Sequence, residues 1–343
     1  MARNLIKENN QNNLVLHLES GYLQKPYVAL VSGETAPDFN SLSPTSPNQK
    51  YFSITAVGKP GLINFPTGVT WSVDSGSTWS SASTLTISDG QSVLVKGDHP
   101  IFNAQNKFNF SSSKFVVYGN IMSLLYEDDF ENAYYFNYGE SFESLFENCT
   151  ELIEAQNLVL PAPILEEYVY KNMFKNSSIE HTPTFADEYT NLTYGCFYHM
   201  FHGCTKLKNI NLSIVANIVS DYCFEGMFYG CTSLVNSPII TINEHYITTD
   251  TFKEMFKGCT SLTIAPELPY EYISNGSYRG MFDGCSSLSY IKCLTTDISA
   301  SNCTENWVNG VSQTGTFVKN SSMNSWTTGV NGIPSGWTVE NAS

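Results

Sequence analysis

Phe252-Lys-Glu-Met255-Phe256-Lys-Gly258-Cys259-Thr-Ser-Leu262 and Tyr278-Arg-Gly-Met281-Phe282-Asp-Gly284-Cys285-Ser-Ser-Leu288 are two copies of one pattern, and the reading of that pattern decides the fold. An aromatic residue followed three and four places on by Met and Phe lines one face of a helix. A glycine two places after the Phe is where a helix ends, in the left-handed conformation that glycine tolerates best. The Cys and Leu then turn back inward. The pattern predicts a short amphipathic helix closed by Gly258 or Gly284.

The unit recurs upstream as Phe197, Met200, Phe201, Gly203, Cys204 and Leu207, and again as Phe224, Met227, Phe228, Gly230, Cys231 and Leu234. Phe142, Leu145, Phe146, Asn148, Cys149 and Leu152 keep the spacing with Asn for Gly, whereas Tyr170, Met173, Phe174, Asn176 and Ile179 lose one residue and the Cys. The second aromatic falls at Phe146, Phe174, Phe201, Phe228, Phe256 and Phe282, in steps of 28, 27, 27, 28 and 26. A fixed period of this size marks a solenoid and lies in the roughly 20–29-residue range of leucine-rich repeats. A fully buried Phe, Leu or Met contributes roughly 1.5–3 kcal/mol, too little for one unit to fold alone but enough for stacked copies. The residues after each Leu, such as Leu262–Ile264 and Leu207–Ile210, are expected to form rungs of a parallel sheet with the helices on the other face. The stretches between copies, 182–191 and 239–250, vary in sequence and line up on one face, where solenoids bind.

Residues 255–269, Met-Phe-Lys-Gly-Cys-Thr-Ser-Leu-Thr-Ile-Ala-Pro-Glu-Leu-Pro, resemble the repeat of the BspA-like leucine-rich-repeat family. Gly119–Tyr126 and the tail from Trp307 to Trp337 also resemble regions flanking such repeats in gut Bacteroidetes proteins and their crAss-like phages. The resemblance covers about 119–343 and implies a curved α/β solenoid used for surface recognition, with no catalytic residues. Adhesin-like repeats behind a polar arm over 1–50, with no secretory signal in Met1–Asn10, point to a non-enzymatic virion protein (a head fibre, decoration or tail-associated adhesin) that binds a host surface protein or glycan through its repeats. A bacterial cell-surface adhesin is the alternative, and a glycan-active enzyme is the reading from another class.

The 343 residues carry 17 Lys plus Arg against 32 Asp plus Glu, a net charge of −15, which argues against wrapping nucleic acid or lying on anionic lipid. No apolar run approaches the roughly 20 residues of a membrane span, and Met1–Asn10 has no apolar stretch of the kind a secretory signal needs. Residues 1–50 are polar and Asn-rich, with apolar patches at Leu14–Leu18 and Tyr27–Val31, and read as an arm that anchors the chain to virion proteins. By analogy with fibres the expected assembly is a homo-oligomer, a trimer, on the virion surface; for the adhesin it is the cell surface. Residues 51–118 read as a small all-β sandwich from six short strands with Asp74-Ser-Gly76 and Asp89-Gly90 turns, 119–290 as the repeats, and 291–343 as a terminal cap that leaves the pattern.

Nine cysteines raise the question of disulfides, but Cys149, Cys204, Cys231, Cys259 and Cys285 share one repeat position, so a buried ladder of thiols is expected. Cys196 and Cys223 make a second column, and Cys293 and Cys303 are close enough in sequence for a local bridge. With no CxxC and scattered histidines, no metal site is predicted; His199 and His202 are read as exposed helix positions. Glu127–Asp129 and Glu166–Glu167 are acidic pairs that do not recur in the repeat and are read as solvated, Trp71 and Trp79 are read as core and cross-strand packing, and no cofactor motif is present.

Overall fold

The computed structural model describes residues 5–8, 14–17, 50–208, 210 and 212–342. The chain divides into two compact units, Met1–Leu42 and Ser43–Ser343. In the first, β1 (Leu5–Glu8) and β2 (Leu14–His17) pair antiparallel with Leu5 opposite His17. Most of the rest of the expected arm, including the apolar patch Tyr27–Val31, lies outside the described residues.

The second unit begins with β3 (Phe52–Val57), β4 (Gly61–Asn64), β5 (Val69–Ser72), β6 (Thr84–Ile87), β7 (Ser92–Gly97), β8 (Asn109–Ser111) and β9 (Lys114–Asn120). One sheet orders β5, β7, β3 and β9 antiparallel, and a second orders β6, β4 and β8. This is not the separate sandwich expected over 51–118. The far edge of β9 pairs in parallel with β10 (Leu152–Glu154) and β11 (Leu158–Leu160), and β11 with β12 (Thr184–Phe185), so one sheet runs on into the repeats. A single apolar core extends from Phe52 to Trp337. The antiparallel sheets cover the first coil and spare it an open, water-exposed end.

The expected helices are absent, which corrects both the α/β class and the leucine-rich type. The one α-helix among the described residues is α1 (Ser123–Tyr126), followed by a 3-10 turn over Glu127–Asn132. In place of each helix stands a train of tight turns. The N–H groups of Asp250, Phe252, Glu254, Phe256 and Gly258 donate to the carbonyls of Asn275, Ser277, Arg279, Met281 and Asp283 on the next coil, at 2.7–3.0 Å. Those of Lys253, Met255, Lys257 and Cys259 donate back three residues. Every fourth residue, Asp250, Glu254 and Gly258, has positive φ, which no α-helix accommodates. The side-chain period is therefore four, and Phe252 and Phe256 point the same way, as do Met255 and Cys259.

Trains of this kind end at Asn148, Asn176, Gly203, Gly230, Gly258, Gly284 and Gly310, making seven coils of a β-solenoid. The seventh, Asn302, Asn306 and Gly310, lies in the tail expected to leave the pattern. The regions between trains hold β13 (Tyr189–Leu192), β14 (Ser213–Val219), β15 (Ile239–Ile242), β16 (Tyr246–Ile247), β17 (Tyr272–Ile273), β18 (Tyr290–Cys293), β19 (Thr316–Lys319) and β20 (Thr338–Asn341). They pair in parallel one coil apart, for example Ser213 with Ile239 and Tyr246 with Tyr272. The expected rungs are displaced: residues 207, 208 and 210 form no strand, and Ile264 makes only an isolated bridge to Tyr290. The variable stretches 182–191 and 239–250 carry strands instead.

Inside the coils Phe146, Phe174, Phe201, Phe228, Phe256 and Phe282 stack with ring centroids 5.2–5.8 Å apart. Phe142, Tyr170, Phe197, Phe224, Phe252 and Tyr278 form a second stack at 5.4–6.1 Å. Trp307 closes both, 6.0 Å from Tyr278 and 6.2 Å from Phe282, and Trp326 stacks on it. Truncating Phe256 to Ala should cost about 3–5 kcal/mol. Trp79→Ala should cost less, because Trp79 is half-exposed against Tyr51 and Lys96. Urea denaturation of both variants checks this, and equal midpoint shifts would contradict a core centred on the Phe stack.

Candidate functional site

The residues singled out by the repeat lie in the interior and hold coil to coil. The thiols of Cys204, Cys231, Cys259 and Cys285 donate to the carbonyls of Phe174, Phe201, Phe228 and Phe256 on the preceding coil at 3.0–3.1 Å, and Cys149 donates to Phe108. Burial pushes the thiols of Cys149, Cys204 and Cys285 up to about 12, so they stay protonated and able to donate. Ser177 stands where the second coil lacks its Cys. All nine cysteines are free, including Cys196 and Cys223, whose sulfurs lie 3.1 Å apart, and Cys293 and Cys303.

Among the described residues no three His, Cys, Asp or Glu side chains gather as metal ligands. His181 pairs with Glu154 at 2.7 Å and His99 with Asp98 at 3.1 Å. Asp128 of the acidic run is held by Lys96 and by the Tyr51 hydroxyl, at 2.8 and 2.5 Å. Trp71 stacks on Phe65, and Trp79 packs edge-on against Tyr51. His199 and His202 are not exposed helix positions. They are half-buried in the turn trains, with His199 stacked on Tyr198 at 4.1 Å and His202 on Tyr229 at 4.5 Å.

What the repeat pattern did not reveal is a cleft of about 400 Å³ lined by Tyr168, Lys171, Tyr194, Tyr198, Tyr222, Glu225 and Lys253. It lies on the outside of the turn trains of neighbouring coils. Tyr168 and Tyr222 occupy the first left-handed position of their trains, and Tyr194 stands one residue before the corresponding Gly195. Lys171, Tyr198, Glu225 and Lys253 each fall three residues after that position. Gly195, at φ 57°, makes the site possible: a Cβ there would lie 2.3 Å from Cε1 of Tyr168, whose ring fills that space.

The four rings meet at angles. Tyr168 is edge-to-face with Tyr194 at 5.3 Å and with Tyr198 at 6.0 Å, and Tyr194 is tilted against Tyr222 at 5.1 Å. Lys171 lies 5.0 Å over the Tyr168 ring and is ion-paired with Glu143 at 3.0 Å. Lys253 is paired with Glu225 at 2.8 Å. Burial raises the carboxyl of Glu225, opposed by Lys253, and burial also raises the hydroxyls of Tyr168, Tyr198 and Tyr222. The cleft thus offers aromatic surface, hydroxyl groups and neutralised ion pairs. No family model, curated protein or solved structure matches the chain.

Beside the cleft, burial holds the His199 imidazole down to about 4, aided by His202, Lys175 and Lys253. An unfolded histidine titrates at about 6.5. Between these values the unfolded chain takes up a proton that the folded chain refuses, so stability falls as pH drops through this window. His181 and Glu225, both raised, act in the opposite sense but are common to wild type and a His199→Asn variant. The melting temperature of wild type relative to His199→Asn should therefore decline on acidification from about 6.5. Parallel curves for the two chains would contradict a buried neutral imidazole.

Proposed function

We propose that this chain is a non-enzymatic binding protein whose tyrosine cleft takes an uncharged, polyhydroxylated ligand, a saccharide. The observation that carries the reading is the gathering of Tyr168, Tyr194, Tyr198 and Tyr222 around a cleft whose lysine and glutamate groups are already paired. Aromatic rings pack against the C–H faces of sugars while their hydroxyls meet the sugar hydroxyls. The paired ions supply donors and acceptors, and the carboxylates of Asp221, Asp250 and Glu254 around the cleft disfavour an anionic ligand. Glu225 is the one carboxylate lining the cleft, whereas hydrolysis by the usual two-carboxylate route needs a pair flanking the scissile bond.

The setting we propose is the virion surface. A fibre or decoration protein of a crAss-like phage would reach its host through BspA-like repeats and be anchored by residues 1–50, as a homo-oligomer. This setting is supported by the resemblance of residues 255–269 and their sister repeats to that family. A neutral-saccharide microarray tests the binding reading. The chain should bind a defined subset of glycans, and Tyr198→Ala should weaken that binding roughly tenfold or more, the effect of losing about 1.4 kcal/mol. Absence of binding, or binding indifferent to Tyr198, would contradict it. Immunogold labelling of particles tests the setting: labelled cells with unlabelled virions would refute it.

A further inference from the structure

The cleft has a direction. Its first column, Tyr168, Tyr194 and Tyr222, places one tyrosine on each of three successive coils, with centroids 5.3 and 5.1 Å apart. Its second column, Lys171, Tyr198 and Glu225, runs beside the first over the same three coils. On the coils before and after, the aromatic position is taken by Glu140 and Asp250. Both ends of the second column are closed by ion pairs, Lys171 with Glu143 at 3.0 Å and Glu225 with Lys253 at 2.8 Å. The binding surface is therefore a trough three coils long, parallel to the solenoid axis and bounded at each end by charge.

Stacked strands advance about 4.8 Å per coil, close to the advance of one pyranose ring in an extended chain. Resting on the saccharide reading above, we propose that the trough holds a linear, uncharged, extended oligosaccharide along the solenoid axis, one sugar unit per coil over three coils. The protein's net charge of −15 disfavours an anionic glycan, and both lysines that could attract one are already paired. Gly195 acts as a positioning residue, since its missing side chain lets the Tyr168 ring lie down and form the first subsite.

Size ladders of β-1,4-linked gluco-, manno-, xylo- and chito-oligosaccharides, from one to six units, test this by isothermal titration calorimetry. With the ladder that binds, affinity should rise at each added unit up to three and then level off. Tyr222→Ala and Tyr168→Ala, which remove opposite ends, should each shorten the plateau to two units; a merely structural loss would weaken every length alike. Equal affinity for the monomer and the trimer, or a rise continuing to six units, overturns the three-coil trough while leaving the saccharide reading intact. If no ladder binds while the microarray shows a neutral glycan that does, the trough falls and the saccharide reading stands; if neither binds, both fall. Melting curves of the two variants confirm that these half-buried side chains are not needed for folding, and an intact melt with unchanged length dependence also overturns the proposal.

Discussion

The structure depends on where alternate backbone amides of each turn train send their hydrogen bonds. Within residues 250–259 the N–H groups of Lys253, Met255, Lys257 and Cys259 close tight turns locally, and those of Asp250, Phe252, Glu254, Phe256 and Gly258 reach the carbonyls of the next coil. Neither set is complete without the other, so no train has its backbone satisfied until a neighbour is in place. A left-handed residue at every fourth position is the geometric consequence. Gly and Asn carry most of the later positions because they tolerate that conformation at least cost.

From this constraint the rest follows. Identical positions stack one coil apart, so Phe sits on Phe and each repeat thiol lies under the carbonyl of the preceding Phe. The Phe228 and Phe256 carbonyls each accept two bonds, one from the Cys amide of their own coil and one from the next thiol. Cysteine suits the position because it is small enough for the stack and still a donor. Ion pairs repeat the same register: Glu143 with Lys171, Glu147 with Lys175, Glu180 with Lys208 and Glu225 with Lys253. The exposed Glu180–Lys208 pair adds little stability, but each pair opposes a slip of one coil on the next. The ends need separate solutions, which the antiparallel sheets supply before the first coil and Trp326, stacked on Trp307 of the seventh coil, supplies at the last.

The repeat itself was legible, because the Phe, Cys and Leu columns must be constant for coils to stack. The local conformation was misread because Phe252, Met255, Phe256 and Cys259 fit a helical face and a four-residue turn period equally well. The deciding signal was the second periodicity: Gly276, Gly280 and Gly284, or Asn302, Asn306 and Gly310, at every fourth place. That signal also marks the seventh coil, where Trp307-Val308 stands in place of the Met-Phe pair and hides the motif. The cleft was not legible from the repeat at all. Tyr168, Tyr194 and Tyr222 belong to no constant column, and they become neighbours only once the coil register is known. Variation on a regular scaffold is where a solenoid places its specificity.

The central claim is that the Met-Phe segments are turn trains bonded from coil to coil rather than helices. Scalar couplings across hydrogen bonds, measured by NMR on the perdeuterated chain, identify the acceptor of each amide directly. The Phe256 amide should couple to the carbonyl of Met281, and the Glu254 amide to that of Arg279. Coupling of Phe256 to the carbonyl of Phe252, four residues back, would show an α-helix and contradict the account.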